Sequence, residues 1–322
     1  MNETELRHRV ISGLLQADAP LTCPELAAQC EAPEPAVGRV LARLVDEDLV
    51  VRGKLLTPSA AKRVAEPAPQ YCWAARWARD IERRTAEAKE RLRAIAVPPD
   101  APGEHGVRLD SEPVLAFNDY LIHEYRPPED KRLLVFLQCS VRRPFSSSPS
   151  HASMRRAISV ASGYSPSDDF IRCPVHVVVL ASRIGPVPYE LEDVYPANVG
   201  GGGVKHFDPA HYAHAKPVLA ERMASYITAH RDAYDRITTF TEGRYGEVMN
   251  EARRIAGVDF PVLPMPDGAR LVRAGRSRPR TYWGKYWIQL YAEVTSWLDP
   301  PGQAAARARL DELDVELHAG TP

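Results

Sequence analysis

Apolar runs with the period of a strand alternate with helical patterns along the second half of the chain. Leu133–Leu137 is continuously apolar, and Val175–Ala181 is apolar apart from His176, as expected of strands buried on both faces. Two further strands are expected, at Ala233–Phe240 and Phe260–Met265. Helices are predicted near 153–162, 217–231 and 246–256. The alternation predicts an α/β domain with a mainly parallel sheet, in which the strands starting at Leu133 and Val175 are neighbours.

The first 56 residues instead predict three helices and a hairpin. Helical spacing covers 3–16 and 36–48, with a short helix after Thr22 that Glu25 completes as a capping box. A hairpin is expected at 49–56, turning at Gly53. This order resembles the winged helix-turn-helix superfamily, in which the third helix enters the major groove. The resemblance implies nucleic-acid contacts from four cations: Arg39, Arg43, Arg52 and Lys54.

Nearby acids and a change in composition qualify this picture of the N-terminal part. Residues 46–48 are acidic, and the alternative is a protein–protein or dimerisation module, through which the chain would form oligomers. Residues 1–66 are assigned to the winged helix-turn-helix domain and 67–106 to a helical connector ending in a Pro/Gly-rich linker. Residues 107–322 are assigned to the larger α/β domain, which ends in a basic and aromatic extension.

Charge, hydropathy and cysteine content exclude several classes of protein. The formal net charge is -1 over 322 residues, so contact with nucleic acid must depend on local patches. No apolar run approaches the length of a membrane span, and the N-terminus is charged, so neither a membrane segment nor a signal peptide is expected. The five scattered cysteines favour a reduced, cytoplasmic protein, and without metal-ligand spacing no zinc site is expected.

The stretch after the first strand of the α/β domain is typical of an active-site loop. It contains a thiol, two guanidinium groups, three adjacent hydroxyls and an imidazole: Cys139, Arg142, Arg143, Ser146, Ser147, Ser148 and His151. A thiolate is a strong nucleophile, cations bind phosphate or carboxylate, and histidine suits proton transfer. Ligands of open α/β sheets bind past the carboxyl ends of strands. The structural alternative is a buried cysteine beside a solvated serine loop.

The spacing of this loop resembles the core motif of archaeosine synthase, an archaeal enzyme related to tRNA-guanine transglycosylase. That motif is Pro-Cys, three residues, Lys-Pro-Tyr, two residues, Ser, two residues, His. Four positions match it in type and register: Cys139, Pro144, Ser148 and His151. Three positions depart from it: Gln138 replaces Pro, Arg143 replaces Lys and Phe145 replaces Tyr. The cation and the aromatic ring are kept, whereas the lysine amine and the tyrosine hydroxyl are lost.

Other segments extend the resemblance over roughly 112–257, under half of the chain. Glu112–Pro128 is similar to the helix that leads into the family's first strand. A segment of the form Gly-x-Val-Pro-x-x-x-Glu-x-x-Tyr-Pro is matched from Gly185 to Pro196 and includes Glu192. The patch His206–Tyr212 takes the place of a Tyr-Asp segment. Several segments in the right order are more specific than one short motif.

The resemblance implies a transferase that adds an amine to the nitrile of 7-cyano-7-deazaguanine in tRNA or DNA. The donor would be an amino acid such as lysine, and no cofactor is implied. A Cys139 thiolate would form a thioimidate, or the amine would attack directly with Cys139 structural. His151 would shuttle the proton, Arg143 would hold phosphate or the donor's carboxylate, and Ser148 would bind the base. Further substrate-binding candidates are Arg142, Ser146, Ser147, Glu192, Asp208 and His206.

Two other stretches carry expectations, and a second function stays open. The glycines at 200–203 predict a mobile loop or lid, since they lack the context of a nucleotide fingerprint. Basic residues interleaved with aromatics predict nucleic-acid contact from Arg276, Arg278 and Arg280, or else a surface loop before an aromatic core helix. The alternative function is a non-catalytic sensor of a modified base, in which a winged helix is fused to a degenerate archaeosine synthase-like domain.

Overall fold

The chain divides into two compact units. A computed structural model describes residues 2–17, 20–47, 49–53, 70–98, 107–129, 131–264 and 287–313. One unit is Met1–Ala86 with Pro128–Asp130, and the other is Glu87–Pro127 with Lys131–Pro322. Within the described residues, no helix combines the length and the apolar character that crossing a membrane requires.

The first unit combines helices with a small antiparallel sheet. Its elements, in chain order, are α1 (Glu3–Gln16), β1 (Leu21–Thr22), α2 (Cys23–Gln29), α3 (Glu34–Asp46), β2 (Val50–Gly53) and β3 (Gln70–Trp73). The three strands lie in the order β1-β3-β2. Thr22 and Glu25 form the predicted capping box at the start of α2. Apolar side chains of α1, α2 and α3, including Val10, Leu26 and Leu41, form its core.

The prediction of a hairpin confined to residues 49–56 is wrong. Strand β2 pairs antiparallel with β3, with Val50 opposite Trp73 and Gly53 opposite Gln70. The partner strand therefore lies in the stretch that was assigned to the connector. The local sequence pattern could not reveal a partner strand on the far side of residues 54–69, so the turn was predicted at Gly53. Residues 54–69, which include Lys54, lie outside the described residues.

The second unit is an α/β domain built on a five-stranded sheet. Helix α4 (Ala74–Ile95) spans the division between the units. The elements that follow it are α5 (Glu112–His123), β4 (Leu133–Gln138), α6 (Pro149–Ser162), β5 (Val175–Ala181), β6 (Gly185–Pro188), α7 (Pro209–His230), β7 (Arg236–Phe240), α8 (Arg244–Ala256), β8 (Val262–Leu263), α9 (Trp287–Thr295) and α10 (Pro300–Asp311). The strand order is β6-β5-β4-β7-β8. The α/β class with a mainly parallel sheet is as predicted.

The two apolar runs form adjacent parallel strands, as the sequence predicted. Leu133 of β4 lies opposite Val175 of β5 in a parallel register. On its other side β4 pairs in parallel with β7, and only the edge strand β6 is antiparallel. Five of the six residues of β4 and all seven of β5 are buried. The carboxyl ends of β4, β5 and β7 therefore meet at one edge of the sheet.

Two helices begin earlier than predicted, and both differences matter for the site. Helix α6 starts at Pro149 with Ser148 as its N-cap, so His151 belongs to the first turn of the helix and not to the loop. Helix α7 starts at Pro209 with Asp208 as its N-cap, and Pro217 lies inside it. A serine or aspartate followed by proline is a strong start signal. Ser148 and Pro149 were instead predicted to belong to the loop, and Pro217 was predicted as the start of the later helix.

Candidate active site at the edge of the sheet

Cys139 lies at the carboxyl end of the central strand, beside a cleft. The residue follows β4 directly, is partly exposed, and its thiol donates to the carbonyl of Ser140 at 3.3 Å. The cleft is small and opens to solvent. Its walls come from the ends of β4 and β5 and from the glycine run: Val107, Cys139, Arg143, Ala181, Ser182, Arg183, Ile184, Val199, Gly200, Gly201 and Gly202.

Arg143 braces the loop and brings its guanidinium to the thiol. Its Nε donates to the carbonyl of Ala197 at 2.9 Å, and its Nη1 donates to the carbonyls of Ser140 and Arg142 at 2.5 and 3.1 Å. Its Nη2 lies 3.9 Å from Sγ of Cys139, and the guanidinium stacks 3.8 Å above the ring of Phe145. Most of the donors are therefore bound to the protein. The arrangement places a positive charge beside the thiol.

His151 is fully buried and both of its ring nitrogens have partners. Nε2 lies 2.9 Å from the carbonyl oxygen of Gln138, and Nδ1 lies 2.6 Å from the hydroxyl of Tyr189. A carbonyl only accepts, so Nε2 carries the proton and Nδ1 accepts from Tyr189. Burial lowers the pKa of His151 from 6.5 to about 4. These contacts do not support the expected proton shuttle, because one of them would have to break first.

The three serines of the loop hold its backbone in place. The buried hydroxyl of Ser148 accepts from the backbone N–H of His151 at 3.2 Å, and Ser147 donates to the carbonyl of Pro144 at 2.9 Å. Ser146 bonds to the carboxylate of Glu192 through its hydroxyl and also through its N–H, at 2.9 Å. Burial raises the pKa of Glu192. The serines and Glu192, predicted as ligands of a substrate, thus have structural partners in the described residues.

A short 3-10 turn, Tyr189–Leu191, fastens the loop to the interior of the domain. Three polar side chains of this region point to different partners: Tyr189 to His151, Glu190 to His176 and Tyr125, and Glu192 to Ser146. Glu190 is almost fully buried, which would raise its pKa, but its contacts with His176 and Tyr125 outweigh burial and lower it. The turn therefore positions the strand end at Gln138 and the serine loop together.

Two further polar side chains meet close to the carboxyl edge of the sheet. Ser182 directly follows β5, and Tyr245 is the second residue of α8, which follows β7. Their hydroxyl oxygens lie 2.8 Å apart. Burial raises the pKa of Tyr245 above its ordinary value, and negative charge on Cys139 raises it further. Neither Ser182 nor Tyr245 was among the site residues predicted from the sequence.

The glycine run packs closely against this pair. The N–H of Val204, the residue after the run, donates to Oγ of Ser182 at 3.0 Å. A Cβ atom added at Gly203 would lie 2.5 Å from the hydroxyl oxygen of Tyr245, so no larger residue fits without moving the phenol. Gly203 and Val204 are buried, whereas Gly202 is exposed. The end of the glycine run therefore packs against the domain, although the whole run was predicted as a mobile loop or lid.

The other predicted contact residues are exposed, cap a helix or lie outside the described residues. Arg142 and His206 are exposed, and Asp208 caps α7 by accepting from the N–H of His211 at 2.9 Å. Arg39, Arg43 and Arg52 are exposed on the first unit, where Arg43 pairs with Glu3. Lys54, Arg276, Arg278 and Arg280 lie outside the described residues.

A signal for the missed residues was present in the strand pattern. Once β4, β5 and β7 are taken as parallel neighbours, the first polar residues after each strand meet at one edge. That rule selects Cys139 after β4 and Ser182 after β5. Tyr245 lies five residues beyond the end of β7, in the first turn of α8, so a rule that selects the first polar residue after each strand does not select it.

The domain that carries this site matches known proteins over part of their length. The model of a family described as "Domain of unknown function (DUF5591)" matches residues 114–268, which include Cys139, Ser182 and Tyr245. The archaeosine synthase subunit alpha of Methanosarcina acetivorans is 29% identical over 45% of this chain and 21% of that protein. The subunit of the same name from Thermococcus kodakarensis is 28% identical over 52% of this chain and 27% of that protein.

The matched segments cover 21% and 27% of the length of these two relatives. Most of each relative therefore has no counterpart in this chain. Among solved structures, a crystal structure of AF0587, a protein of unknown function, aligns with 64% of this chain and 52% of that chain. It is 14% identical to this chain, with a TM-score of 0.32.

Proposed function

We propose that this chain, whose residues 114–268 form an archaeosine synthase-like domain, adds an amine to the nitrile of a 7-cyano-7-deazaguanine carried by tRNA or DNA. The amine donor is an amino acid such as lysine, and the product is an amidine. One observation carries the proposal: a partly exposed thiol stands at the end of the central strand, beside a guanidinium and a cleft, inside the matched segment.

The chemistry follows from the electrophile. A nitrile carbon is weakly electrophilic, so a thiolate is the side chain best suited to attack it. The thiolate of Cys139 adds to that carbon to give a thioimidate, and the amine then displaces the sulfur. Arg143 supports the thiolate by its charge and holds the loop around it. Ser148 and His151 act by positioning the start of α6 and the strand end, which replaces the roles first assigned to them.

The first unit is proposed to bring nucleic acid to the domain. Three helices and a small antiparallel sheet support a winged helix-turn-helix module as the proposal for this unit, and Arg39 is exposed on α3. Arg43 pairs with Glu3, which weakens its claim to a phosphate, and a role in protein–protein contact stays as the alternative. A reduced, cytoplasmic setting is proposed because Cys139 must remain a free thiol.

A second candidate is a protein that binds the modified base without changing it. The observation that favours it is the engagement of His151 and of the serines in structural hydrogen bonds. In that case the cleft would recognise the base and Cys139 would remain unreacted. The two candidates share a ligand and differ in whether a covalent bond to sulfur ever forms.

The deciding experiment incubates the purified chain with an oligonucleotide that contains 7-cyano-7-deazaguanine, with and without lysine. Nucleoside mass spectrometry then looks for the lysine amidine, and intact-protein mass spectrometry without lysine looks for the thioimidate. Cys139→Ala should abolish both species. Cys23→Ser is the matched control, because that thiol lies in the first unit and bonds the carbonyl of Glu34.

Each outcome separates the candidates. Amidine and thioimidate that both depend on Cys139 support the transferase. Amidine that survives Cys139→Ala would reject the thiolate mechanism and favour direct attack by the amine. Tight binding of the modified oligonucleotide with neither species formed would reject the transferase and favour the base sensor.

A further inference from the structure

We propose that Val141 is a wedge that enters the base stack of a nucleic acid when the modified base turns out toward Cys139. Arg142 and Lys205 contact the phosphates beside that base. This inference rests on the proposed function and assigns the surface by which the α/β domain engages its substrate. Val141 is 56% exposed, two residues after the candidate nucleophile. Single exposed apolar residues are ordinary on protein surfaces, but this one lies on a braced loop beside a cleft.

Hydrogen bonds on both sides of Val141 hold the loop that carries it. Nη1 of Arg143 donates to the carbonyls of Ser140 and Arg142, at 2.5 and 3.1 Å, and the hydroxyl of Ser140 donates to the carbonyl of Arg142 at 3.2 Å. The carbonyl of Val141 packs along the wall of the cleft, since a Cβ at Gly200 would lie 3.6 Å from its oxygen. A β-branched side chain on a held backbone has few conformations to lose, so Val141 is positioned for insertion before any ligand binds.

The position of Cys139 in the sheet requires the base to leave its stack. Cys139 follows the central strand β4, which has β5 and β6 on one side and β7 and β8 on the other. Position 7 of a purine faces the major groove, which in B-DNA admits an α-helix or a two-stranded ribbon and in RNA is narrower still. The edge of a five-stranded sheet, with α6 and α8 beginning beside it, is too broad for either groove. A base that turns out leaves a gap, and an apolar side chain can fill it.

Two exposed cations lie at the ends of the glycine run that forms part of the cleft wall. Arg142 directly follows Val141, whose carbonyl packs on Gly200, and Lys205 comes two residues after the run ends. Both side chains are exposed, and within the part of the chain that the structure describes neither is paired with a carboxylate. Gly200 and Gly202 are exposed between them and present bare backbone. Cations on both sides of bare backbone suit the phosphates that flank one nucleotide.

The first test detects the opened stack directly, so it does not depend on turnover. The probe is a short duplex that carries 7-cyano-7-deazaguanine next to 2-aminopurine, prepared as DNA and as RNA. Because 2-aminopurine brightens when it loses a stacked neighbour, a saturating amount of the wild-type chain should raise its fluorescence on at least one of the two duplexes. Val141→Ala should lose most of that rise, and Val141→Leu, which keeps an apolar side chain, should retain it.

The second test compares turnover on the modified duplex with turnover on the same strand without its complement. Val141→Ala should be about tenfold slower on the duplex, because nothing offsets the cost of unstacking, and should equal the wild type on the single strand. Ile255→Ala is the matched control: Ile255 is also β-branched, is 47% exposed and lies at the far end of α8 from the edge of the sheet. It should match the wild type on both substrates.

The phosphate contacts are tested by the salt dependence of binding to the same duplex. Arg142→Ala and Lys205→Ala should each reduce the slope of log K against log salt by about one unit. Arg254→Ala is the control, because that exposed cation pairs with Glu251 on α8, and it should leave the slope unchanged. Unchanged slopes in both of the first two variants would overturn the phosphate contacts.

The outcomes separate this inference from the proposed function. No fluorescence rise with the wild-type chain, or an equal rise with Val141→Ala, overturns the wedge whatever the activity. Equal loss of turnover on duplex and single strand also overturns it, since Val141 would then only support the loop. A rise that depends on Val141 in a chain that makes no amidine supports the wedge and rejects the proposed reaction. Where Val141→Ala melts early, Val141→Ser decides by the same measurements.

Discussion

The hydroxyl of Tyr189 lies 2.6 Å from Nδ1 of His151, and this contact leaves the histidine one way to carry its proton. The other nitrogen faces the carbonyl of Gln138 at 2.9 Å and must therefore donate. A neutral imidazole satisfies both partners, whereas an imidazolium would turn a second N–H toward the hydroxyl of Tyr189. The histidine thus links the 3-10 turn to the strand end that precedes Cys139.

The first prediction is that stability falls as the pH is lowered from 7 to 5. Burial lowers the pKa of His151 from 6.5 to about 4, and burial does the same for His230. Below 6.5 the unfolded chain binds protons that the folded chain does not yet bind, so acid favours unfolding. Each histidine should contribute about 2 kcal/mol of this loss between pH 7 and 5. Urea unfolding at a series of pH values measures it.

His151→Gln provides the control for that assignment. Glutamine does not titrate, so the variant should lose about 2 kcal/mol less stability than the wild type over the same pH range. Its stability at pH 7 will be lower, and only the change with pH is compared. An equal pH dependence in the two proteins would mean that His151 is not buried in the neutral form.

The second prediction concerns the carboxylate that holds the serine loop. Glu192 is 7% exposed and accepts twice from Ser146, so Glu192→Ala leaves the part-buried N–H of Ser146 without its partner. The free energy of unfolding should fall by about 1–3 kcal/mol. Hydrogen exchange at 145–151 should become faster. Asp193→Ala is the matched control, because that side chain is 51% exposed and pairs with Lys89 on the surface. Equal effects of the two changes would contradict a tethering role for Glu192.

The local pattern of the chain was sufficient for the sheet and for the thiol. Continuously apolar runs report burial on both faces, so β4 and β5 were predicted as parallel neighbours and their register confirms it. The residue that follows β4 then had to lie at the carboxyl edge, where Cys139 is found. These inferences need only the periodicity of a few consecutive residues.

The side-chain hydrogen bonds around the site were not predictable in the same way. Tyr189 contacts His151 across 38 positions of sequence, and Ser182 contacts Tyr245 across 63. A hydrogen bond between distant side chains leaves no period in either segment. For that reason the serines and His151 were assigned to chemistry by residue type, while their partners show that they shape the loop. The strand β3 was missed for the same reason.

The third prediction tests the first unit as a nucleic-acid module. Arg39 is exposed on α3, whereas Arg43 on the same helix pairs with Glu3, so Arg39→Ala should weaken binding more than Arg43→Ala. Loss of one phosphate contact should reduce the slope of log K against log salt by about one unit. Binding of tRNA and of duplex DNA across a salt series measures it.

Arg9→Ala is the control for that experiment, because Arg9 bonds to Glu5 and to the carbonyl of Cys30. It should leave the salt dependence unchanged. If Arg39→Ala and Arg9→Ala bind alike with the wild-type slope, α3 does not contact phosphate, and the module is better assigned to protein–protein contact.

The fourth prediction contrasts two cysteines to separate chemistry from packing. Cys139 is partly exposed beside the cleft, so Cys139→Ser should change stability little, by less than about 1 kcal/mol, because water can satisfy the new hydroxyl. Activity should be abolished, because an alcohol is a far weaker nucleophile than a thiolate. Cys173 is fully buried, so Cys173→Ser should cost about 1–3 kcal/mol while the folded protein stays active. Thermal melting and turnover measured on the same preparations distinguish the two. A Cys139→Ser protein that melts early but retains turnover would assign the thiol to the core and remove it from the mechanism.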